Sequence, residues 1–168
     1  MSKSFNVIVI GAGPGGYIAA IRAAQLGYSV ACIEQWRDPR GQSKLGGTCL
    51  NVGCIPSKAL LASSELFEHT LHHVSEHGIA VKSVAMDVAR MMARKNDIVN
   101  KMTQGIEFLF RKNKIHWLKG HGKLVSADAE RVQIEVSGAG ETHTVTGRNV
   151  IIATGSKARH LPDVNVDQ

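Results

Sequence analysis

Apolar residues run without alternation through positions 5–10 ("FNVIVI"), a pattern that predicts a strand buried on both faces. The following "PGGYIAAIRAAQLG" places Ile18, Ala20, Ile21 and Ala24 at helical spacing, a small-residue face, with Gly27 where a helix C-cap is expected. Residues 28–34, "YSVACIE", predict a second strand, completing a βαβ unit. Residues 35–47 form a polar loop, which leads into a helix carrying Ala59, Leu60, Leu66 and Phe67. A long helix is expected from an N-cap at Asp87 to Asn113. Its apolar positions are Met91, Ile98, Met102, Ile106 and Leu109, and the two methionines read as core filler. The period then shortens. "KIHWLKGHGKLVS", "RVQIEVS" and "THTVTG" predict a small antiparallel meander over about residues 114–147, and "NVIIATGS" a buried strand feeding a glycine turn. The expected fold is α/β: three layers around a parallel sheet, with the meander added.

Composition narrows the class. A chain of 168 residues, 43% hydrophobic and 20% charged, suits one globular domain with a real core. The net charge of +6 raises the question of nucleic acid, but Lys3, Arg22, Lys44, Lys82, Arg94, Lys101, Arg111 and Lys123 are scattered and aromatics are few. A solvated basic surface is expected, with no nucleic-acid partner. No stretch approaches the ~18–20 apolar residues of a membrane span. The opening apolar run is broken by glycines and lacks a small-residue cleavage site, so it reads as a strand and not a signal peptide. The expected compartment is the cytoplasm, where a close cysteine pair reads as redox-active or metal-binding.

"GAGPGG" places Gly11, Gly13 and Gly16 in the G-x-G-x-x-G pattern, after a strand and opening a helix, with Glu34 ending the next strand. Gly11 permits a tight turn, Gly13 lets backbone approach a pyrophosphate, and Gly16 lets the helix pack on the strand. The helix N-terminus offers unpaired N–H groups to phosphate, and Glu34 would accept from a ribose hydroxyl while repelling a 2′-phosphate. The motif does not separate NAD from FAD, and a glycine turn without a ligand is the plainer alternative.

"GGTCLNVGCIPSK" holds Cys49 and Cys54. Structural zinc wants four ligands. The one other cysteine, Cys32, sits inside an apolar strand, and His72, His73 and His77 have no matching thiol. A disulfide carries a condition: residues five apart on an ideal helix are separated by about 7.5 Å of rise, beyond the about 6.8 Å that bridged Cα atoms span. The backbone must therefore deviate between the cysteines, which Gly53 and Pro56 permit. A helix dipole and Lys58 would favour a thiolate there. Two unpaired core thiols are the remaining reading.

The thiol segment, placed after "VIGAGPGGYIAA" and before "ATGS", resembles the flavin-dependent pyridine nucleotide–disulfide oxidoreductases along essentially the whole chain. "CIPSKALL" is more like the lipoamide-linked members than glutathione reductase, which usually carries Lys where Ser57 stands. The resemblance implies FAD, with its ADP half on the first glycine loop and Glu34 at the ribose. It implies that Gly46, Gly47, Thr48 and Cys49 run along the cofactor, and that Lys58 lies near the flavin ring. Gly122, and the Thr154, Gly155 and Ser156 segment, would contribute further contacts. Cys49 would be the interchange thiol, and Cys54 would face the flavin.

The implied reaction oxidises dihydrolipoamide, carried on a lipoyl-bearing acyltransferase of 2-oxoacid dehydrogenase complexes, and reduces NAD. Two departures from the family stand out. The loop between Glu34 and Cys49 is longer than usual, and the second glycine fingerprint, for NAD, and the C-terminal interface domain are missing. The chain therefore reads as the N-terminal part, residues 1–168, of a flavoprotein that is a homodimer at full length. Another disulfide reductase of the superfamily, or a non-catalytic nucleotide-binding fragment, are the rival readings.

Overall fold

The computed structural model describes residues 3–138, 140–159 and 162. The βαβ unit is present: β1 (Lys3–Ile10), α1 (Pro14–Gln25) and β2 (Val30–Glu34), with β1 and β2 parallel. α1 stops because Gly27 adopts φ +89° and donates its N–H to the Ala24 carbonyl at 3.0 Å. Tyr28 and Ser29 precede β2, so that strand is shorter than its apolar run. Two helices, α2 (Gly47–Asn51) and α3 (Cys54–His72), carry the thiol segment, and α4 (Val88–Lys112) follows. Asp87 is the N-cap of α4 as expected, its carboxylate accepting from the Arg90 N–H at 3.0 Å.

The described residues form a six-stranded sheet in the order β3-β2-β1-β6-β5-β4, where β3 is His116–Lys119, β4 His121–Ala127, β5 Val132–Gly138 and β6 Glu141–Ile152. Two sequence expectations change here. The run after Lys114 is not all meander, since β3 joins the parallel sheet beside β2 and only β4 onward turns antiparallel. The Gly120 N–H, bonded to the Glu34 carbonyl at 2.9 Å, marks the switch. "THTVTG" and "NVII" are also one strand: β6 pairs with β5 antiparallel in its first half and with β1 parallel in its second. Gly147 faces both partners, Phe5 and Val132, and a Cβ there would lie 2.8 Å from Ile8 Cδ1. Glycine leaves room there for the Ile8 side chain, which a Cβ would push aside.

The core has two sides. Val7, Val9, Val30 and Cys32 face α1 and α4, packing with Ala20, Ile106 and Phe110. Ile8, Ile10, Ala31 and Ile33 face the other way, onto Ile134, Val136 and Val145 of the meander. Helices, parallel strands and meander thus make the expected three layers. The end of β6 departs from the expected buried strand: Ile151 and Ile152 are 38% and 66% exposed.

Four further positions depart from the pattern. Ile18 on α1, Leu66 on α3 and Leu109 on α4 are exposed, and Met102 is 42% exposed, so it is not core filler. The buried stripe of α4 instead contains Thr103, Ile106 and Phe110, and Thr103 satisfies its hydroxyl by donating to the Val99 carbonyl at 2.9 Å. In the full-length protein, Phe110→Ala should lower unfolding free energy by about 3–5 kcal/mol. Met102→Ala should stay within about 0.5 kcal/mol. Denaturant titration of both variants checks the assignment; equal losses would contradict it.

Candidate functional site: a nucleotide cleft ending at a thiol pair

The site begins at the glycine turn. Gly11, at φ +97°, donates its N–H to the Ile33 carbonyl at 2.8 Å, and a Cβ on it would lie 2.3 Å from the Ala153 carbonyl oxygen. A Cβ on Gly16 would lie 1.8 Å from the Gly11 carbonyl, so α1 packs directly on the turn. Gly13 is the N-cap of α1, with no side-chain cap and no acidic residue in the first turn. The positive end of the helix therefore meets no competing charge from its own first turn.

Glu34 stands opposite, at the end of β2. Its carboxylate is buried and accepts the Ala12 N–H at 2.7 Å through one oxygen and the Trp36 N–H at 2.8 Å through the other. The acid thus ties the glycine turn to its own strand, a structural duty that the sequence pattern did not reveal. Each carboxylate oxygen keeps a further acceptor lone pair.

The thiol segment is threaded against the same turn. Gly46, at φ +106°, donates to the Ala12 carbonyl at 2.9 Å, and a Cβ on Gly47 would lie 2.6 Å from Gly13 Cα. Asn51 holds α2 in place, its side-chain amide donating to the Leu45 and Gly47 carbonyls at 3.0 and 2.9 Å. The backbone breaks between the cysteines, as a close pair requires: α2 ends, Gly53 takes φ −116° and ψ −115°, and α3 starts at Cys54. Pro56 lies buried in the first turn of α3.

Cys49 and Cys54 are free thiols on either side of this break, with Cys54 near enough to act on the Cys49 thiol. The hydrogen bond from Cys54 is the largest cause of a Cys49 pKa raised above the usual thiol range; desolvation adds to it, and Lys58 opposes it least. Lys58 does act to favour a Cys49 thiolate, as expected, but its effect is outweighed in the reduced pair. Cys32 is fully buried, its pKa pushed up by desolvation and then by Glu34, which leaves it an inert core thiol.

One cleft of about 460 Å³ gathers most of the sequence-predicted site. Gly11, Gly13 and Glu34 line one end, Gly47, Thr48 and Cys49 another, and Gly122, Thr154, Gly155 and Ser156 complete the wall. Gly16 and Gly46 shape the backbone without lining it, and Cys54 and Lys58 are exposed outside it. The sequence reading missed Trp36 and His121, which also line the cleft. Trp36 directly follows the acid and its neighbour Gln35, and an aromatic at that point was the available signal. The long loop, residues 35–45, folds on itself around Asp38, which accepts the N–H groups of Arg40 and Gln42 at 3.0 and 2.9 Å. Among the described residues, no three His, Cys, Asp or Glu side chains converge on a metal position.

A paired dithiol at the end of a dinucleotide cleft is the arrangement of a disulfide reductase. The chain belongs to the pyridine nucleotide-disulphide oxidoreductase family, whose model matches residues 5–167. It is 65% identical to a dihydrolipoyl dehydrogenase of Cupriavidus necator over 99% of this chain and 35% of that protein. It is 49% identical to the mitochondrial dihydrolipoyl dehydrogenase of Pisum sativum, over 99% of this chain and 32% of that protein. A crystal structure of LpdA from Mycobacterium tuberculosis superposes with a TM-score of 0.80 at 26% identity, covering 96% of this chain and 34% of that one. The chain thus spans about a third of the length of the curated relatives it matches. No helix among the described residues is long and apolar enough to cross a membrane.

The raised Cys49 pKa has a direct consequence. In flavin-free, dithiol-reduced protein, Cys49 should be alkylated by iodoacetamide more slowly at neutral pH than a free cysteine. The rate should climb in the alkaline range as its proton leaves. Peptide mass spectrometry across pH reads this, and faster-than-free reaction at neutral pH would contradict it.

Proposed function

We propose that the full-length protein is a dihydrolipoyl dehydrogenase that contains FAD and uses NAD. The observation that carries this reading is the Cys49–Cys54 pair, set on either side of the break at Gly53, with Cys49 lining the same cleft as the glycine turn and Glu34. The residues fit an ADP-bearing cofactor. Backbone is bare at Gly11, Gly13 and Gly47, an uncompensated helix N-terminus meets the cleft, and an acid with spare acceptor capacity faces it. In this reading Gly11, Gly13 and the α1 N-terminus hold the pyrophosphate, Glu34 the ribose, and residues 46–49, Gly122 and residues 154–156 the rest. Gly16 supports the turn, and Lys58 lies towards the flavin.

The thiol chemistry follows from the pair. Starting from the Cys49–Cys54 disulfide, a thiolate of dihydrolipoamide attacks the Cys49 sulfur; the S–S bond breaks and Cys54 leaves as thiolate. The second substrate thiol gives up its proton and displaces Cys49 from the mixed disulfide, closing the lipoyl ring. Two electrons and two protons have then moved from the substrate to the protein side. FAD, when bound, supplies two-electron acceptance from the dithiol and onward transfer to NAD. The break at Gly53 is what makes the cycle workable, because it lets two thiols five residues apart meet without unwinding α3.

The 65% and 49% identities to dihydrolipoyl dehydrogenases support the lipoamide substrate. The same reading places the protein in the cytoplasm as a homodimer, serving a 2-oxoacid dehydrogenase complex through a lipoyl-bearing acyltransferase. In full-length reduced enzyme, Cys54→Ser should abolish the long-wavelength thiolate–flavin absorbance, whereas Cys49→Ser should retain it. Turnover should be found with dihydrolipoamide and not with glutathione disulfide. Preference for glutathione disulfide would replace this reading with another disulfide reductase; a colourless full-length protein would leave only nucleotide or partner binding.

A further inference from the structure

A second cavity, of about 540 Å³, lies between the long loop and α4 and shares no lining residue with the nucleotide cleft. That volume is in the range of small-molecule sites, about 300–1,000 Å³. Its wall is polar almost throughout. α4 contributes Asn96, Asn100 and Gln104, four residues apart and so on one face. The loop contributes Asp38, Arg40 and Lys44, and α4 adds Lys95.

The charges are unbalanced. Asp38 is the one carboxylate lining the cavity, and it is occupied within the loop: one oxygen takes the N–H groups of Arg40 and Gln42, and the other lies 4.0 Å from Lys44. Among the described residues, neither Arg40 nor Lys95 has a carboxylate within salt-bridge distance. Lys95 is half-buried and Arg40 is exposed at the rim. These two cations, unpaired with any described carboxylate, sit beside amide donors and form a concave site for a compact polyanion. We propose that this cavity binds a small phosphorylated or pyrophosphate-bearing metabolite, at a site separate from the redox cofactor. One wall is Asn51, whose amide holds the carbonyls at the start of α2, so the ligand would abut the helix that carries Cys49.

This inference does not depend on the flavin reading. The test titrates inorganic pyrophosphate into full-length, cofactor-loaded protein by calorimetry at low ionic strength. Three proteins are compared: the parent, Arg40→Gln/Lys95→Gln, and Lys82→Gln/Lys112→Gln, whose exposed lysines lie outside the cavity and which has the same net charge as the first variant. The proposal expects the parent to bind, the cavity variant to bind at least about tenfold more weakly, and the control to match the parent. Lipoamide turnover should be unchanged in both variants without added anion. Absence of binding to the parent overturns the proposal. So does equal binding by the cavity variant, or equal loss in both variants, which would assign any binding to net charge or to another nucleotide site.

Discussion

Two backbones touch where no side chain could stand between them. Gly47 approaches Gly13 so closely that a Cβ would lie 2.6 Å from the Gly13 Cα, and this contact fixes the thiol segment to the glycine turn. The rest of the site is arranged around it. Glu34 holds the turn from the β2 side by accepting the Ala12 N–H, and Gly46 holds it from the other by donating to the Ala12 carbonyl. Residue 12 is thus gripped on both of its peptide groups. The thiol segment is consequently positioned by strand and helix backbone, which is the pre-organisation that the proposed redox role calls for.

A second constraint acts through packing. The cleft's other wall is the turn after β6, held because Ala153 donates to the Ile10 carbonyl at 2.8 Å, and β6 passes from meander to parallel sheet around Gly147. Cofactor wall and core are therefore one hydrogen-bonded object. The exposed Ile151 and Ile152 belong to this same strand, directly before the segment that lines the cleft.

Much of this was legible in the sequence, and what was not has identifiable causes. The βαβ unit was readable because a continuous apolar run, a glycine signature and a C-terminal glycine all agree over a short stretch. The start of α4 was readable from Asp87, a local cap. Its buried face was readable at Ile106 but not beyond, because Met102 and Leu109 repeat at helical spacing as well as Thr103 and Phe110 do. Threonine reads as polar until its hydroxyl is seen bonded to Val99. The single long β6 was hidden because "TGRN" resembles a turn, and only its two partners, β1 and β5, far away in sequence, keep it extended. At the site, the glycines and the thiols announced themselves by type and spacing. The packing of Gly47 on Gly13 and the arrival of His121 in the cleft depend on tertiary contacts, which no local pattern encodes.

The most direct test of the account is the FAD dissociation constant of Gly47→Ala, measured by reconstitution of full-length apoprotein, with circular dichroism confirming the fold. Gly47 sits at φ +60° with no room for a methyl group. The account predicts affinity weakened by about tenfold or more, because thiol helix and glycine turn must part. A folded Gly47→Ala protein that binds FAD as the parent does would contradict it.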